Sequence, residues 1–173
     1  MPCDYFSGEV TAVARDLIGR RLVVSGPEQS IAGVIIETEA YGGANDPASH
    51  AAFRPGGRAA AMVGPPGVVY VYAAYGMYPC FNIVTGAEGV PSAVLVRGVW
   101  LDGDTTPTSG PGRLTRAMGI TGLDHAATVG GERFNVSVTR QALDISVTKR
   151  VGITRGVELP WRYVGMAAKA ATG

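Results

Sequence analysis

The amino-acid sequence predicts one domain of the α+β class, spanning residues 1–173. Alternating apolar segments typical of strands outnumber the helical patterns, and they do not follow the regular βαβ order of a parallel sheet. A chain of 173 residues is long enough to bury a substantial core and short for two domains. Its composition, 46% hydrophobic and 17% charged, is that of a globular rather than a disordered protein.

A helix and a hairpin are predicted first along the chain. The segment SGEVTAVARDLIG, residues 7–19, carries an apolar stripe at helical spacing, with Ser7 as its N-cap and Gly19 where the helix ends. Two strands follow at residues 20–25 and 30–41, and the turn composition GPEQ between them predicts a hairpin.

Residues 42–67 are rich in Gly, Pro and Ala and have no hydrophobic period, so they predict a long surface loop. Loops of this length in compact domains are usually functional. Further strands are predicted at residues 68–74, 80–86, 92–99, 133–139, 142–148 and 149–156. A short helix is predicted around RLTRAMGI, residues 113–120.

Charge and cysteine content narrow the class of protein. The net charge of +1 neither indicates nor excludes nucleic acid, because local patches set binding. Cys3, Cys80 and the two histidines lack the spacing of a zinc site, so we expect reduced thiols in a cytoplasmic protein with no metal and no cofactor. No apolar run approaches the roughly 18 residues of a membrane span, and the N-terminus lacks a signal-peptide pattern, so we expect no membrane contact.

The segment GVIIETEAYGG, residues 33–43, joins a buried strand to two carboxylates. Strand alternation puts one set of side chains towards the core, namely Val34, Ile36, Thr38 and Ala40. It puts the other set on the opposite face, namely Ile35, Glu37, Glu39 and Tyr41. Such a strand end, feeding a long loop, predicts a catalytic site, whereas the alternative is an edge strand with solvated glutamates.

The spacing of the two glutamates limits their chemistry. Same-face neighbours on a strand lie roughly 6.6 Å apart, too far for Glu37 and Glu39 to share a proton directly. One of them would be structural, bound by backbone or arginine donors, while the other acts as a general base.

Four tyrosines fall within nine residues, at positions 70, 72, 75 and 78. Clustered aromatic rings at strand ends suit stacking on flat ligands such as nucleobases. Aromatic cross-strand pairing inside a sheet explains Tyr70 and Tyr78 equally well. Tyr75 precedes a glycine at a predicted turn tip, where a large ring does not belong to a core.

Basic residues mark two further segments. The predicted loop holds His50, Arg54 and Arg58 in glycine-rich sequence, and arginines in such a setting are candidate phosphate contacts. A lone loop histidine is more often a packing or surface residue. The segment SGPGRLTR places Arg113 at a predicted helix N-terminus, where a phosphate can be bound.

Taken together, these stretches resemble the alkyladenine (3-methyladenine) DNA glycosylase family. The resemblance runs in family order from about residue 14 to 164, through ARDLIGRRLV, IIETEAYGG, DPASHA, MVGPPGVVYVYAAYGMYPCFNIVTG, SAVLVRG, GPGRL, RVGI and PWRYV. The most specific element is ETEAY followed by a histidine nine residues after its tyrosine, and then YVY, YGM and an asparagine.

The resemblance implies a monofunctional enzyme that flips a damaged purine out of duplex DNA and hydrolyses its N-glycosidic bond with water. It implies an antiparallel, curved sheet with flanking helices and a protruding hairpin that inserts into DNA. Glu39 would be the general base that activates the water and would stabilise positive charge on the sugar. Arg97 would help hold the water and the flipped phosphate, and the main-chain carbonyl of Val151 would complete the water site.

The same resemblance assigns the base pocket and the partner. Tyr41 and Tyr72 would sandwich the flipped base, His50 would bind its edge, and Asn82 would exclude the guanine amino group. Tyr75 would wedge into the duplex and fill the vacated stack. We therefore expect a monomer that binds double-stranded DNA containing damaged purines, cytoplasmic in a bacterial-type cell and associated with the nucleoid when bound.

The sequence also departs from the family pattern. AAA follows Arg58 where relatives carry polar residues, the segment between Arg97 and Gly110 is short, and the C-terminal GMAAKAATG lacks the usual closing aromatic-Val-Ser strand. Two alternatives stay open at this point. One is a sugar glycosidase using the two glutamates of ETEAY as acid and base, and the other is a damaged-DNA-binding protein without turnover.

Overall fold

The strand patterns pair into one antiparallel sheet in the computed structural model, which describes residues 1–43, 45–53, 56–74 and 76–167. Nine strands lie within these ranges: β1 Arg20–Ser25, β2 Ser30–Tyr41, β3 Val69–Ala74, β4 Tyr78–Val84, β5 Ala93–Leu101, β6 Thr108–Ser109, β7 Phe134–Arg140, β8 Leu143–Thr148 and β9 Arg162–Ala167. The order across the sheet is β3-β4-β5-β2-β1-β7, with β6 beside β5 and β9 between β2 and β8. The predicted α+β class is confirmed.

Short helices flank the sheet. They are α1 Val10–Leu17, α2 His50–Phe53 and α3 Pro111–Ala117, with 3-10 turns at Cys3–Ser7, Gly57–Val63 and Gly122–Asp124. The predicted loop of residues 42–67 is therefore not without structure, because α2 and one 3-10 turn lie inside it. Two of the alanines that follow Arg58, Ala59 and Ala61, pack against a buried cluster that contains Met62.

The first helix begins later than predicted. Ser7 ends the preceding 3-10 turn, and the N-cap of α1 is Glu9, whose carboxylate accepts hydrogen bonds from the N–H groups of Thr11 and Ala12. The predicted end is confirmed. Gly19 has φ of +87° and lies so close to β7 that a Cβ would come within 2.2 Å of the Gln141 carbonyl oxygen.

The C-terminal third contains one prediction that is wrong and one strand that the sequence analysis missed. Residues 149–156 form no strand and instead run as a coil. The strand is β9, which pairs with β8 along its whole length and with β2 at Glu37–Glu39. Gly165 makes the fit possible, because a Cβ there would lie 2.6 Å from the Ile18 side chain.

β2 is a central strand, so the edge-strand alternative is wrong. It pairs with β5 along one side, and with β1 and then β9 along the other. α1 packs across β2, β5 and β9, and the Thr38 hydroxyl donates to the Ala14 carbonyl of α1. The core therefore lies on the α1 face of the sheet.

A β-bulge sets which side chains of β2 and β5 face that core. The register pairs Ile35 with Val99 and Thr38 with Val96, but between them Ile36 and Arg97 are skipped. Ile35, not Val34 or Ile36, lies in the core together with Thr38 and Ala40. The predicted alternation is thus wrong before the bulge and correct after it, and the bulge turns both glutamates and Arg97 to the other face.

Candidate active site

A cavity of about 900 Å³ lies on the sheet face opposite α1, a volume suited to a small ligand or a nucleotide. Its walls come from β2 to β5, the segment between β2 and β3, and the coil at residues 151–155. Six residues predicted from the sequence line it: Tyr41, His50, Tyr72, Asn82, Arg97 and Val151. The fold thus brings together positions as far apart in the chain as Tyr41 and Val151.

Glu39 lies behind this wall and is fully buried, with 0% exposure. Its Oε1 accepts a hydrogen bond from the main-chain N–H of Val151 at 2.7 Å, and its Oε2 accepts one from the Tyr41 hydroxyl at 2.8 Å. Arg97 completes the set, with Nη1 3.5 Å from Oε2. All three partners line the cavity, so the carboxylate is held one layer beneath its surface.

The environment of Glu39 raises the pKa of its carboxyl above the ordinary value. Burial raises the pKa of Glu39 above its ordinary value because a charge is poorly solvated inside the protein, and the Glu37 carboxylate adds to the rise. Arg97, the Val151 N–H and the Tyr41 hydroxyl lower the pKa and so limit that rise. A carboxylate with a raised pKa is suited to take up a proton near neutral pH.

Glu37 is bound by two arginines. Its Oε1 accepts hydrogen bonds from Nε of Arg97 at 3.0 Å and from Nε of Arg162 at 2.7 Å. The guanidinium of Arg97 is therefore fixed on Glu37 through Nε while its Nη1 reaches Glu39. Gly98 allows the approach, since a Cβ there would come within 3.0 Å of the Glu37 Cβ. Arg97 contacts both glutamates, so the assignment of a structural role to one of them stays a prediction.

Two tyrosines and a histidine form an aromatic wall. The rings of Tyr70 and Tyr72 lie 5.5 Å apart, which confirms that they share a strand face. The His50 ring meets Tyr72 edge-on at 4.5 Å between centroids. Its Nδ1 lies 2.7 Å from the Tyr70 hydroxyl, in a hydrogen bond whose donor depends on the histidine tautomer. His50 is thus held in a defined orientation at the cavity rather than on an outer surface.

Asn82 lies on β4 at the same cavity and is 3% exposed. Its Nδ2 donates to the main-chain carbonyls of Tyr70 and Cys80, both at 3.0 Å. These two bonds fix which way the amide faces. An amide with a fixed orientation can discriminate between ligands by the donors and acceptors on their edges.

Of the four residues predicted to contact DNA, the structure describes two. Tyr75 and Arg54 lie outside the described residues. Arg58 donates through Nη1 to the carbonyls of Val71 and Gly122, so this nitrogen cross-links β3 to the 3-10 turn at Gly122–Asp124. Arg113 is exposed on α3 and makes no hydrogen bond or ion pair within the described ranges. Contact of these arginines with phosphate stays a prediction.

Comparison with known proteins decides the family. The family model described as "Methylpurine-DNA glycosylase (MPG)" matches residues 4–169. The chain belongs to the methylpurine-DNA glycosylase family. Its resemblance to 3-methyladenine DNA glycosylases is thereby confirmed, and the protein is a DNA glycosylase, for which DNA is the partner.

Curated relatives agree with this methylpurine-DNA glycosylase assignment. A protein of Rickettsia rickettsii (strain Sheila Smith) named "Putative 3-methyladenine DNA glycosylase" is 40% identical over 167 residues, covering 95% of this chain and 88% of the relative. Proteins of the same name from Rhodopseudomonas palustris (strain BisB5) and Ehrlichia chaffeensis (strain ATCC CRL-10679 / Arkansas) are 40% and 38% identical. They cover 92% of this chain each, and 83% and 89% of the respective relatives.

Two residues at the site of this methylpurine-DNA glycosylase were given no site role from the sequence, although Tyr70 was grouped with the clustered tyrosines. Tyr70 binds His50 and lines the cavity, and its position two residues before Tyr72 on one strand was the available signal. Arg162 binds Glu37 from β9, and no local pattern marks it, because the contact depends on the pairing of β9 with β2.

The described ranges contain neither a metal-binding cluster nor a helix able to span a bilayer. No group of three or more His, Cys, Asp or Glu side chains there is arranged to hold a metal ion. None of the helices there has both the length and the apolar character that a bilayer crossing requires.

Proposed function

We propose that this glycosylase flips 3-methyladenine, hypoxanthine or ethenoadenine out of double-stranded DNA and hydrolyses the N-glycosidic bond, which starts base excision repair. The observation that carries the proposal is the buried Glu39 carboxylate beside an aromatic-lined cavity. Flipping is required because the scissile bond and a water cannot be aligned inside the base stack. The family membership supports DNA as the substrate.

Glu39 activates the water in this mechanism. Its Oε1 accepts from Val151 and retains a second acceptor position, which takes the proton of a water as the water oxygen attacks C1′ of the sugar. The C1′–N bond breaks and its electron pair leaves with the base. The ionised carboxylate stabilises the positive charge that builds on the sugar during this step.

Arg97 and Val151 orient the water and the flipped nucleotide. Because Glu37 holds the Arg97 guanidinium through Nε, Nη1 reaches Glu39 in a fixed arrangement while Arg97 lines the cavity. Val151 lines the cavity next to the bond between its N–H and Glu39, so its carbonyl is available to complete the water site.

The aromatic wall binds the base. Tyr41 and Tyr72 sandwich the flipped purine, and base–aromatic stacking contributes about 1–3 kcal/mol per base. His50 forms a hydrogen bond with the edge of the base through one ring nitrogen, and the Tyr70 hydroxyl orients the ring by binding the other nitrogen. Asn82 rejects the guanine amino group through its fixed amide. A pocket that relies on stacking accepts several damaged purines.

Contact with the duplex lies at the β3–β4 hairpin and the nearby arginines. Tyr75, which follows Ala74 in the sequence, fills the space that the flipped base leaves. Arg54, Arg58 and Arg113 contact phosphates, and the chain acts as a single-domain monomer.

The test is excision from a duplex oligonucleotide with one hypoxanthine or ethenoadenine, followed by alkaline cleavage of the abasic strand. Wild type should cleave, whereas Glu39→Gln should bind the lesion duplex and not cleave it, because only the base for water is lost. Glu28→Gln is the matched control, since Glu28 is an exposed carboxylate in the turn between β1 and β2.

Each outcome has a defined meaning. Loss of cleavage in Glu39→Gln alone, with lesion binding retained, supports the mechanism. Near-wild-type cleavage by Glu39→Gln rejects Glu39 as the base. Lesion binding without cleavage by wild type, for these lesions and for 3-methyladenine, favours the binding protein without turnover.

A further inference from the structure

The coil that carries Val151 belongs to no helix or strand, yet its main chain has a defined position against β2. Residues 149–161 run between β8 and β9 as turns and bends. Within this coil the Val151 N–H lies 2.7 Å from Glu39 Oε1, and residues 151–155 line the cavity. Some other interaction must fix the coil against β2.

That interaction is an ion pair next to Val151. Arg150 binds Asp46 through both terminal nitrogens, with Nη1 to Oδ2 at 2.6 Å and Nη2 to Oδ1 at 2.8 Å. The side chains of the pair are 0% and 1% exposed. The Arg150 guanidinium also lies 4.8 Å from the Tyr41 ring centroid and 5.2 Å from that of Trp161.

The pair connects three separate parts of the cavity wall. Arg150 Nη1 donates to the Ala40 carbonyl at 2.9 Å, which ties the coil to β2 between Glu39 and Tyr41. Asp46 accepts from the main-chain N–H groups of Gly42 and Ala48, which ties down the segment that leads to His50. Arg150 Nη2 also donates to the Gly156 carbonyl at 3.3 Å, which joins the start of the coil to its middle.

Stability alone does not account for this pair. Burying two charges carries a desolvation penalty that the ion pair often does no more than offset, so apolar residues of similar size are commonly at least as stable. Arg150 Nε, moreover, is buried without a hydrogen-bond partner among the described residues, which is unfavourable. The bidentate geometry does, however, define direction and distance, which a hydrophobic contact would not.

We propose that Arg150 and Asp46 are positioning residues for Glu39, holding the Val151 N–H on its carboxylate and the wall segments in register around the flipped base. The inference rests on the proposed role of Glu39. Neither side chain touches the reacting atoms. They act through the Val151 main chain, the Ala40 carbonyl and the segment that precedes His50.

The proposal predicts a change in the pH profile of excision. The Val151 N–H stabilises the charged form of Glu39, so a displaced coil raises the pKa of Glu39 and moves the acidic limb of the profile to higher pH. The other ionisable groups that face Glu39 are not substituted in these variants: Glu37 and Tyr41 on β2, Cys80 on β4, Arg97 on β5 and Arg162 on β9.

The experiment measures single-turnover excision of hypoxanthine from pH 5 to 9 with Arg150→Lys and Asp46→Asn. Arg150→Lys keeps the charge and loses the fork, and Asp46→Asn keeps the size and loses the charge. Arg133→Lys is the matched control, because Arg133 also binds an aspartate, Asp124, together with the carbonyls of Ser25 and Gly119. Urea unfolding of each variant gives its folded fraction, and rates are expressed per folded molecule.

We expect Arg150→Lys and Asp46→Asn to excise at least tenfold more slowly at pH 7, because a misplacement of about 1 Å can cost roughly a hundredfold. Their acidic limbs should shift upward, while lesion binding changes by less than the rate and Arg133→Lys keeps the wild-type profile. Wild-type rates and pH profiles per folded molecule in both variants would overturn the inference and make the pair purely structural. If Glu39→Gln is active as well, the proposed function fails instead, so the two failures are distinguishable.

Discussion

Replacing Glu39 by glutamine should leave the protein more stable at neutral pH while it abolishes excision. Glu39 is fully buried, and its pKa is raised first by burial and then by Glu37. Ionisation of this group therefore lowers the free energy of unfolding. Glutamine has nearly the same size, still offers Oε1 to the Val151 N–H, and carries no charge that burial can penalise.

The magnitude follows from proton linkage. A carboxyl whose folded pKa lies above its unfolded value of about 4.3 contributes stability that is complete below that value. This contribution is lost as pH rises towards the folded pKa, at up to about 1.4 kcal/mol per pH unit. Glu39→Gln has no such loss. The difference in unfolding free energy, mutant minus wild type, should thus rise with pH from about 4.5 and level off above the folded pKa.

Urea unfolding followed by circular dichroism, from pH 4.5 to 8 at constant ionic strength, measures this difference. Glu9→Gln is an opposite-sign control, since hydrogen bonds from Thr11 and Ala12 lower the pKa of Glu9 against the effect of partial burial. For that variant the difference should fall as pH rises through the acidic range and stay flat near neutrality. A Glu39→Gln difference that is flat or falls between pH 4.5 and 8 would refute the reasoning about its ionisation.

Three further outcomes are expected. Glu37→Leu should lower the free energy of unfolding by about 3 kcal/mol, because Arg97 and Arg162 lose a mostly buried partner; urea titration checks this, and a loss under about 1 kcal/mol contradicts it. Gly33→Ala should lower Tm by about 4–8 °C, because its Cβ would lie 2.4 Å from the Trp100 carbonyl oxygen. An unchanged melting curve would contradict this, because β2 and β5 would then move apart at this point without loss of stability. Non-specific DNA binding should depend weakly on salt, because the net charge is only +1. With three phosphate contacts, a plot of the logarithm of the binding constant against the logarithm of the salt concentration should have a slope of about −3, and a slope steeper than about −6 would contradict this prediction.

Much of the site could be predicted because its residues sit at strand ends that the hydrophobic pattern marks. Glu39 and Tyr41 end β2, so period-two alternation was enough to place them on one face of that strand, and the family resemblance added Tyr72, near the end of β3. The family motif then added His50, whose position the local sequence leaves ambiguous. The structure brings all four to one cavity wall or directly behind it.

What could not be predicted depends on pairing between distant segments. The bulge that skips Ile36 and Arg97 exists only in the register of β2 against β5, and a glycine inside a strand, Gly98, was its one local sign. β9 is short and contains Gly165, so its strand character comes from β8 and β2 on its two sides. The Arg150–Asp46 pair is invisible for the same reason, since the two residues meet only after the sheet has formed.

Two buried carboxylates of this protein show how arginine contacts decide the chemistry of an acid. Asp46 is held by the full fork of Arg150 and by two main-chain N–H groups, and these bonds lower its pKa although burial alone would raise it. Glu39 meets its arginine through a single nitrogen at 3.5 Å, and its pKa stays raised. Burial is the largest cause of the raised pKa of Glu39, and Arg97, which Glu37 also binds through Nε, only partly offsets it. In the proposed mechanism, the raised pKa of Glu39 suits it to accept a proton from the water.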